Sequence, residues 1–493
     1  MVSAVAPGNL KAGIEYGGES SQVLISVRNK SFFDIVCRTN GVAPLVNYQY
    51  GIERFTFSNP KSGIGDRFGE SVAANQHLVV IGAPGDDDSV INSGAVYIYS
   101  MPRLNSANIY ESLEINKIKA PTPQGTSSFG ASVAIGSNRI VVGEFLRPGG
   151  GAAYIYDLAG NFIRQLTPPP PNALAFNANY GISVAIACGK IIVGARGDNG
   201  TVPDSGSAYI FDLDGIFLRK IQASNPANSD QFGQSVAIGS NRIVVGAPGK
   251  DGVGANSGTA YIYDIHGNFI NEITDKGFLP SSSGDRFGQA VSAGFNRIVV
   301  GAPEKSVNYG GSPYNRTQPN GNPIPVQSNS GAAYIYSIDG EFVEAKAPDL
   351  IQVNIVNSDP IYKMANSKYG SSLATGGWDF FIAGAPECEI RNSSNNSTYQ
   401  QNGYIEVSVL ESDFPSINEF SFNRGGKSIS SSTPEQLGYS VAVSGRYIIS
   451  GAPGYNGNIG RAYFQRLSTI FGEDFDLPNN NPRHILDLLD ENK

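Results

Sequence analysis

The sequence predicts an all-β fold, a seven-bladed β-propeller of four-stranded antiparallel blades, on three observations. A phrase running from Phe/Tyr-Gly-x-Ser-Val-Ala through Gly-Ala-Pro to Gly-Ala-Tyr-Ile-Tyr recurs seven times. Each copy holds four short strand-like segments parted by turn residues, and one such segment, residues 51–58, precedes the first copy without a unit of its own. A repeat of this length marks one supersecondary unit stamped along the chain. Four-stranded antiparallel units repeated radially are the blades of a propeller.

The copies open at Phe68, Phe129, Tyr180, Phe232, Phe287, Tyr369 and, degraded, Leu437. In the cleanest copy the first strand is Ser235 to Ile238 and the second Arg242 to Gly246. The third is Gly258 to Tyr263 and the fourth Phe269 to Ile273. Continuous apolar runs predict burial on both faces for the first two strands; the alternating later ones should lie nearer solvent. Gly-Ser-Asn-Arg (Gly136 to Arg139, Gly239 to Arg242) joins strands one and two. Gly160-Asn161, Asp214-Gly215, Gly267-Asn268 and Asp339-Gly340 join strands three and four. Such pairs supply the positive φ angles of tight hairpins.

The last copy has three strands and ends near Gln465, so the orphan segment 51–58 should complete it and leave no open sheet edge. Three regions follow: a small β appendage over 1–50, the propeller over 51–467 and a tail over 468–493. In the appendage, Ser21 to Arg28 and Phe32 to Arg38 read as strands. In the tail, Asn481-Pro482 reads as the start of a short helix carrying Ile485, Leu486, Leu488 and Leu489.

A net charge of −8 without basic clusters argues against nucleic acid as a partner. No apolar run reaches the roughly 18–20 residues of a membrane helix, so no membrane insertion is expected. Residues 1–19 lack a basic segment followed by an apolar core, so no secretory leader is read there. Cys37, Cys188 and Cys388 are far apart and form neither a disulfide framework nor a zinc spacing; each is expected to be a plain core residue.

The phrase resembles the FG-GAP repeat, the blade motif of integrin α-subunit heads and of many bacterial and phage proteins. The resemblance covers residues 51 to about 467. It implies a closed propeller that mostly binds partners, with calcium in Asp-rich loops between first and second strands. Here that loop is the bare Ile-Gly-Ser-Asn-Arg between Ala237 and Ile243. Calcium needs six to eight oxygen ligands, so the family's calcium sites do not carry over and no cofactor is expected. Weaker metal candidates follow Gly-Ala-Pro: Asp86 and Asp88 in the first blade, Asp198 and Asp204 in the third. A solvated turn is the simpler reading of both. Arg196-Gly197-Asp198 spells an integrin-recognised tripeptide but occupies an ordinary repeat slot.

General acid–base or nucleophilic catalysis needs positioned titratable groups. The three histidines, His77, His266 and His484, fall at unrelated repeat positions. No catalytic residues are assigned and no enzyme is expected; a hydrolase would have to draw on Asp66, Asp230 and Asp285 at one rim. Binding is better supported. Loops after the second and fourth strands share a face, and insertions at 304–330 and 387–402, with the link 345–368, enlarge it. Tyr309, Tyr314, Asn315, the Arg316-Thr317 pair, Asn392, Asn395 and Tyr399 supply the Tyr, Asn and Arg suited to adaptable recognition. The expected protein is a non-enzymatic binding and assembly module, most simply a tail or fibre component of a tailed-phage virion. Its partners would be other virion subunits through the termini and a host-surface glycan or protein. A bacterial adhesion or interaction protein, at the cell surface or in the cytoplasm, is the alternative, and a propeller hydrolase the third.

Overall fold

A computed structural model describes the strands within residues 2–36 and most of 54–466. It leaves undescribed 62, 89, 106–108, 171–173, 175, 200–201, 276–281, 295, 309–325, 349–365, 377–379, 389, 392–397, 400–402, 410–419, 423–434 and 446 within the latter. Two compact units result, one spanning Met1–Ile52 and the other containing the ring. The first is a four-stranded antiparallel sheet, Val2–Val5, Asn9–Tyr16, Glu19–Arg28 and Phe32–Val36, paired in chain order. The last two were expected. The first two were missed, although Leu10, Ala12, Ile14 and Tyr16 alternate as a half-buried strand does. The expected helix near 481–489 lies outside the described residues.

The ring is a seven-bladed propeller of four-stranded antiparallel sheets. Blade four, with strands Ser235–Gly239, Arg242–Ala247, Thr259–Asp264 and Phe269–Ile273, serves as the pattern. Its first strand is innermost, and successive first strands stand side by side until Ser440–Ser444 meets Ser71–Ala74. Closure is as expected. Arg54–Ser58 pairs antiparallel with Arg461–Arg466 and supplies the fourth strand of blade seven. A second clasp was not expected: blade one carries a hairpin, Arg103–Leu104 with Tyr110–Glu111, and the Tyr110 ring lies 5.2 Å from Phe464 of blade seven.

Burial differs from expectation in one respect. Second strands are buried, but so are third strands such as Ala152–Tyr156, whereas the first strand Ser132–Gly136 is half-exposed throughout. First strands line the central channel and so meet solvent on one side. Third strands are sandwiched between neighbouring blades, where Tyr97, Tyr154, Tyr209, Tyr261 and Tyr334 are fully buried. The aromatic that opens six of the seven phrases packs on the third-strand tyrosine, as in Phe68–Tyr97 at 5.3 Å and Phe232–Tyr261 at 5.4 Å. Outer strands such as Phe162–Leu166 are mostly exposed.

The phrase recurs because it builds the joint between blades. Gly246, in Gly-Ala-Pro of blade four, has the carbonyl of Gly288 in blade five 1.9 Å from where a Cβ would stand. Gly288 itself sits at φ +90°, a conformation glycine adopts freely. The phrase serine completes the joint, since Ser235 Oγ donates to that same Gly288 carbonyl at 2.8 Å. Ser71, Ser132, Ser183, Ser372 and Ser440 do the same to the following blade, the last closing the ring onto Gly69. Blade five has Ala290 instead. There Ser292 and Thr375, on adjacent inner strands, meet through their hydroxyls at 3.0 Å.

In the hairpins between strands three and four, Gly160, Gly215, Gly267 and Gly340 take positive φ as expected. Between strands one and two, Ser137-Asn138 and Ser240-Asn241 take it, rather than the glycine before them.

Candidate binding face

Because blade strands alternate in direction, loops after second strands and links after fourth strands emerge together on one face. Beneath this surface lies a layer of buried charge. The residue four places after the phrase's second-strand glycine is Asp86 in blade one, Asp198 in blade three, Lys250 in blade four and Lys305 in blade five. Each carries its counter-charge with it. Lys117 Nζ reaches Asp86 Oδ2 at 2.7 Å, and Lys220 Nζ reaches Asp198 Oδ2 at 2.7 Å, both lysines coming from outer strands. Lys250 instead meets Asp230 at 3.2 Å, and Lys305 meets Asp275 at 2.5 Å and Asp285 at 2.8 Å, from the links. Blades one and three thus invert the polarity of blades four and five, each pairing its buried charge with an opposite one.

This layer accounts for the metal candidates. Asp88 is bonded by Lys117 and Lys61. Burial alone would raise its carboxyl, but the two ammonium groups outweigh burial and hold it at about 2. Asp198 is likewise held below the usual range, against the effect of burial, by Lys220 and the Tyr209 hydroxyl. Asp204 is exposed, and its backbone N–H donates to Asn199 Oδ1 at 3.0 Å. Any cation at Asp86 or Asp198 would have to displace a lysine. Asp198 is 1% exposed, so Arg196-Gly197-Asp198 cannot present its carboxylate to a partner.

The hydrolase carboxylates occupy one repeat position, and each is engaged within its own turn. Asp66 accepts from Asn59 Nδ2 at 2.6 Å and the Gly63 N–H at 3.1 Å. Asp230 accepts from the Ala227 N–H at 2.7 Å. Asp285 accepts from the N–H and hydroxyl of Ser282, both at 2.6 Å. Burial raises the Asp66 carboxyl, which the nearby Asp86 reinforces. His77 and His266 are exposed turn residues. Cys388 is buried as expected, and Cys188, a half-buried turn residue at φ +51°, packs against the core between blades three and four.

Of the expected recognition residues, Tyr309, Tyr314, Asn315, Arg316, Thr317, Asn392 and Asn395 lie outside the described residues. Tyr399 falls in a short strand whose backbone pairs with Ile390, so the 387–402 insertion contains a hairpin. What the face does show was missed from sequence. Ile64 and Val253 are each 82% exposed and Phe176 79%, with Val90, Ile91, Leu146 and Val326 also exposed. All seven lie in second-to-third loops or inter-blade links. Isolated exposed apolar side chains are ordinary; of the five described that are more than 70% exposed, Ile64, Ile91, Phe176 and Val253 lie on this face and Leu113 does not. A polar cleft of about 410 Å³ opens between blades four and five, lined by Asn256, Ser282, Arg286, Glu304, Ser306 and Asn329 among others. Lys368 bonds Glu304 at its edge.

Seven interlocked blades closed by a displaced strand define a repeat β-propeller. The chain matches the FG-GAP repeat over residues 62–99, 171–211 and 217–263. Three matched repeats, and seven copies of the phrase each forming a blade, support an FG-GAP repeat β-propeller. A comparison with curated proteins gives no match. Among the described residues no helix is long and apolar enough to cross a membrane.

Proposed function

We propose that this FG-GAP propeller is a non-enzymatic recognition and assembly subunit of a tailed-bacteriophage virion, in the tail or a fibre, holding its partner on the loop face. The observation that carries the recognition half is the exposure of Ile64, Phe176, Val253 and their neighbours on the face where the chain also places its insertions. The family resemblance supports the same half, since these propellers mostly bind partners. The virion half draws on the phage members of that resemblance and on the separate four-stranded unit, Met1–Ile52, which suits attachment to other virion subunits. Host-surface glycan or protein is the partner such a position calls for.

Mass spectrometry of gradient-purified particles from the strain carrying this gene tests the assignment. The chain should co-purify with the capsid and tail proteins. Its recovery in the cell fraction alone would favour a bacterial interaction protein instead.

A further inference from the structure

At the channel mouth on the loop face, two arginines flank blade four. Arg196, from blade three, places Nη1 2.8 Å from Gln234 Oε1 and Nε 3.5 Å from Asn179 Oδ1. Arg286, from blade five, places Nη2 3.4 Å from Gln231 Oε1 and Nε 3.3 Å from Gln289 Oε1. Gln231 and Gln234 are the ends of one turn, joined by a backbone hydrogen bond of 3.0 Å. Both guanidinium groups therefore converge on a single turn, and all four of these partners are neutral amide oxygens. Among the described residues no carboxylate pairs with either. An amide dipole orients a guanidinium without neutralising it, and each keeps N–H donors to spare.

Nearby carboxylates are already compensated. Glu304 is paired with Lys368, and Asp285 with Lys305. The residual charge is thus positive in a chain of net charge −8. Arg196 is held below its usual pKa by burial and by the charge of Arg286, consistent with two cations sharing a half-buried space without an anion. The fold does not require this arginine. Its slot is proline in five other blades, at Pro84, Pro248, Pro303, Pro386 and Pro453.

We propose that Arg196 and Arg286 form an oxyanion site that takes the carboxylate or phosphate of an acidic glycan. Arg286 also lines the polar cleft, where Ser282, Ser306, Asn256 and Asn329 offer hydroxyl and amide groups to sugar hydroxyls. Arginine suits such anions because its planar fork matches two oxygens at once. This deepens the recognition reading and rests on its loop-face half.

Titration calorimetry of the intact chain with D-glucuronate, inorganic phosphate and neutral D-glucose tests it. At least one anion should bind in the millimolar range expected of a single small group, with glucose at least tenfold weaker. Binding by glucuronate assigns a uronic-acid glycan, and binding by phosphate without glucuronate a phosphorylated one. Arg196→Pro and Arg286→Gln restore residues that other blades use, so both should fold, with unchanged circular dichroism, and each should weaken binding at least tenfold. Failure of both anions to bind, or undiminished binding in both variants, would overturn the site. Either failure leaves the apolar loop face to be judged by its own substitutions.

Discussion

Ser235 and its equivalents each satisfy a carbonyl buried in the joint with the following blade, so single atoms hold the ring's joints. Removing one hydroxyl strands a buried acceptor, at a cost of roughly 1–3 kcal/mol. Ser235→Ala should lower the chemical-denaturation midpoint accordingly. Blade five offers the reverse experiment. There the Gly370 carbonyl stands 2.0 Å from the would-be Cβ of Gly301, matching the geometry of other joints. Ala290→Ser should add the missing bond and raise stability by about 0.5–1.5 kcal/mol; a lowered midpoint would show that this joint differs. Glu70, beside the closing joint, sets a pH dependence. Burial pushes its carboxyl up to about 7, although Arg67 Nε stands 2.8 Å away, because Arg67 is itself partly exposed and screened. The ordinary value is 4.5, so the folded chain holds this proton more tightly between about 4.5 and 7. Stability from this group is therefore full at lower pH and falls as pH rises through that window, by on the order of 1.4 kcal/mol per unit. Glu70→Gln should raise the melting temperature at pH 8 and leave it nearly unchanged at pH 4.5. An equal shift at both would exclude titration of Glu70 as the cause.

Strands and turns were legible in the sequence to the extent that period and turn chemistry fix them. The four strands of each blade, the orphan strand Arg54–Ser58 and the glycines of the third-to-fourth hairpins follow from patterns a few residues long. The order of burial did not follow. An apolar run such as Ser132–Gly136 looks the same whether it faces a neighbouring blade or a channel, because that distinction belongs to the ring. The charged layer was illegible for a related reason. Asp86 reads as a turn residue until Lys117, distant in sequence, is brought beside it by the outer strand. The loop-face arginines were hidden similarly, their convergence depending on three blades at once. At this scale Lys305 gives the sharpest test. It sits between Asp275 and Asp285, all three about 1% exposed. Lys305→Met would leave two carboxylates buried without their cation, a loss of about 3–5 kcal/mol. Urea unfolding should show that loss at pH 7 and a partial recovery near pH 4, where Asp275, whose carboxyl burial raises, can take up a proton. A pH-independent loss would point to packing instead.

For the whole molecule, closure and recognition are separate tasks carried by separate parts of the repeat. Glycines, serines and buried aromatics make the ring, and their positions vary little from blade to blade. The loop face is where the blades differ, in apolar exposure, insertions and charge polarity. If recognition resides there, changing that face should abolish binding without touching the fold. The most direct measurement is binding of the intact chain to an array of bacterial-surface glycans and envelope proteins. Three proteins would be compared: wild type, the loop-face variant Ile64→Ser/Phe176→Ser/Val253→Ser, and the outer-strand variant Leu218→Ser/Val343→Ser. We predict that the loop-face variant loses at least tenfold of wild-type binding, while the outer-strand variant, which also replaces exposed apolar side chains, binds as wild type does. Equal binding by all three, or loss confined to the outer-strand variant, would contradict the assignment of recognition to the loop face.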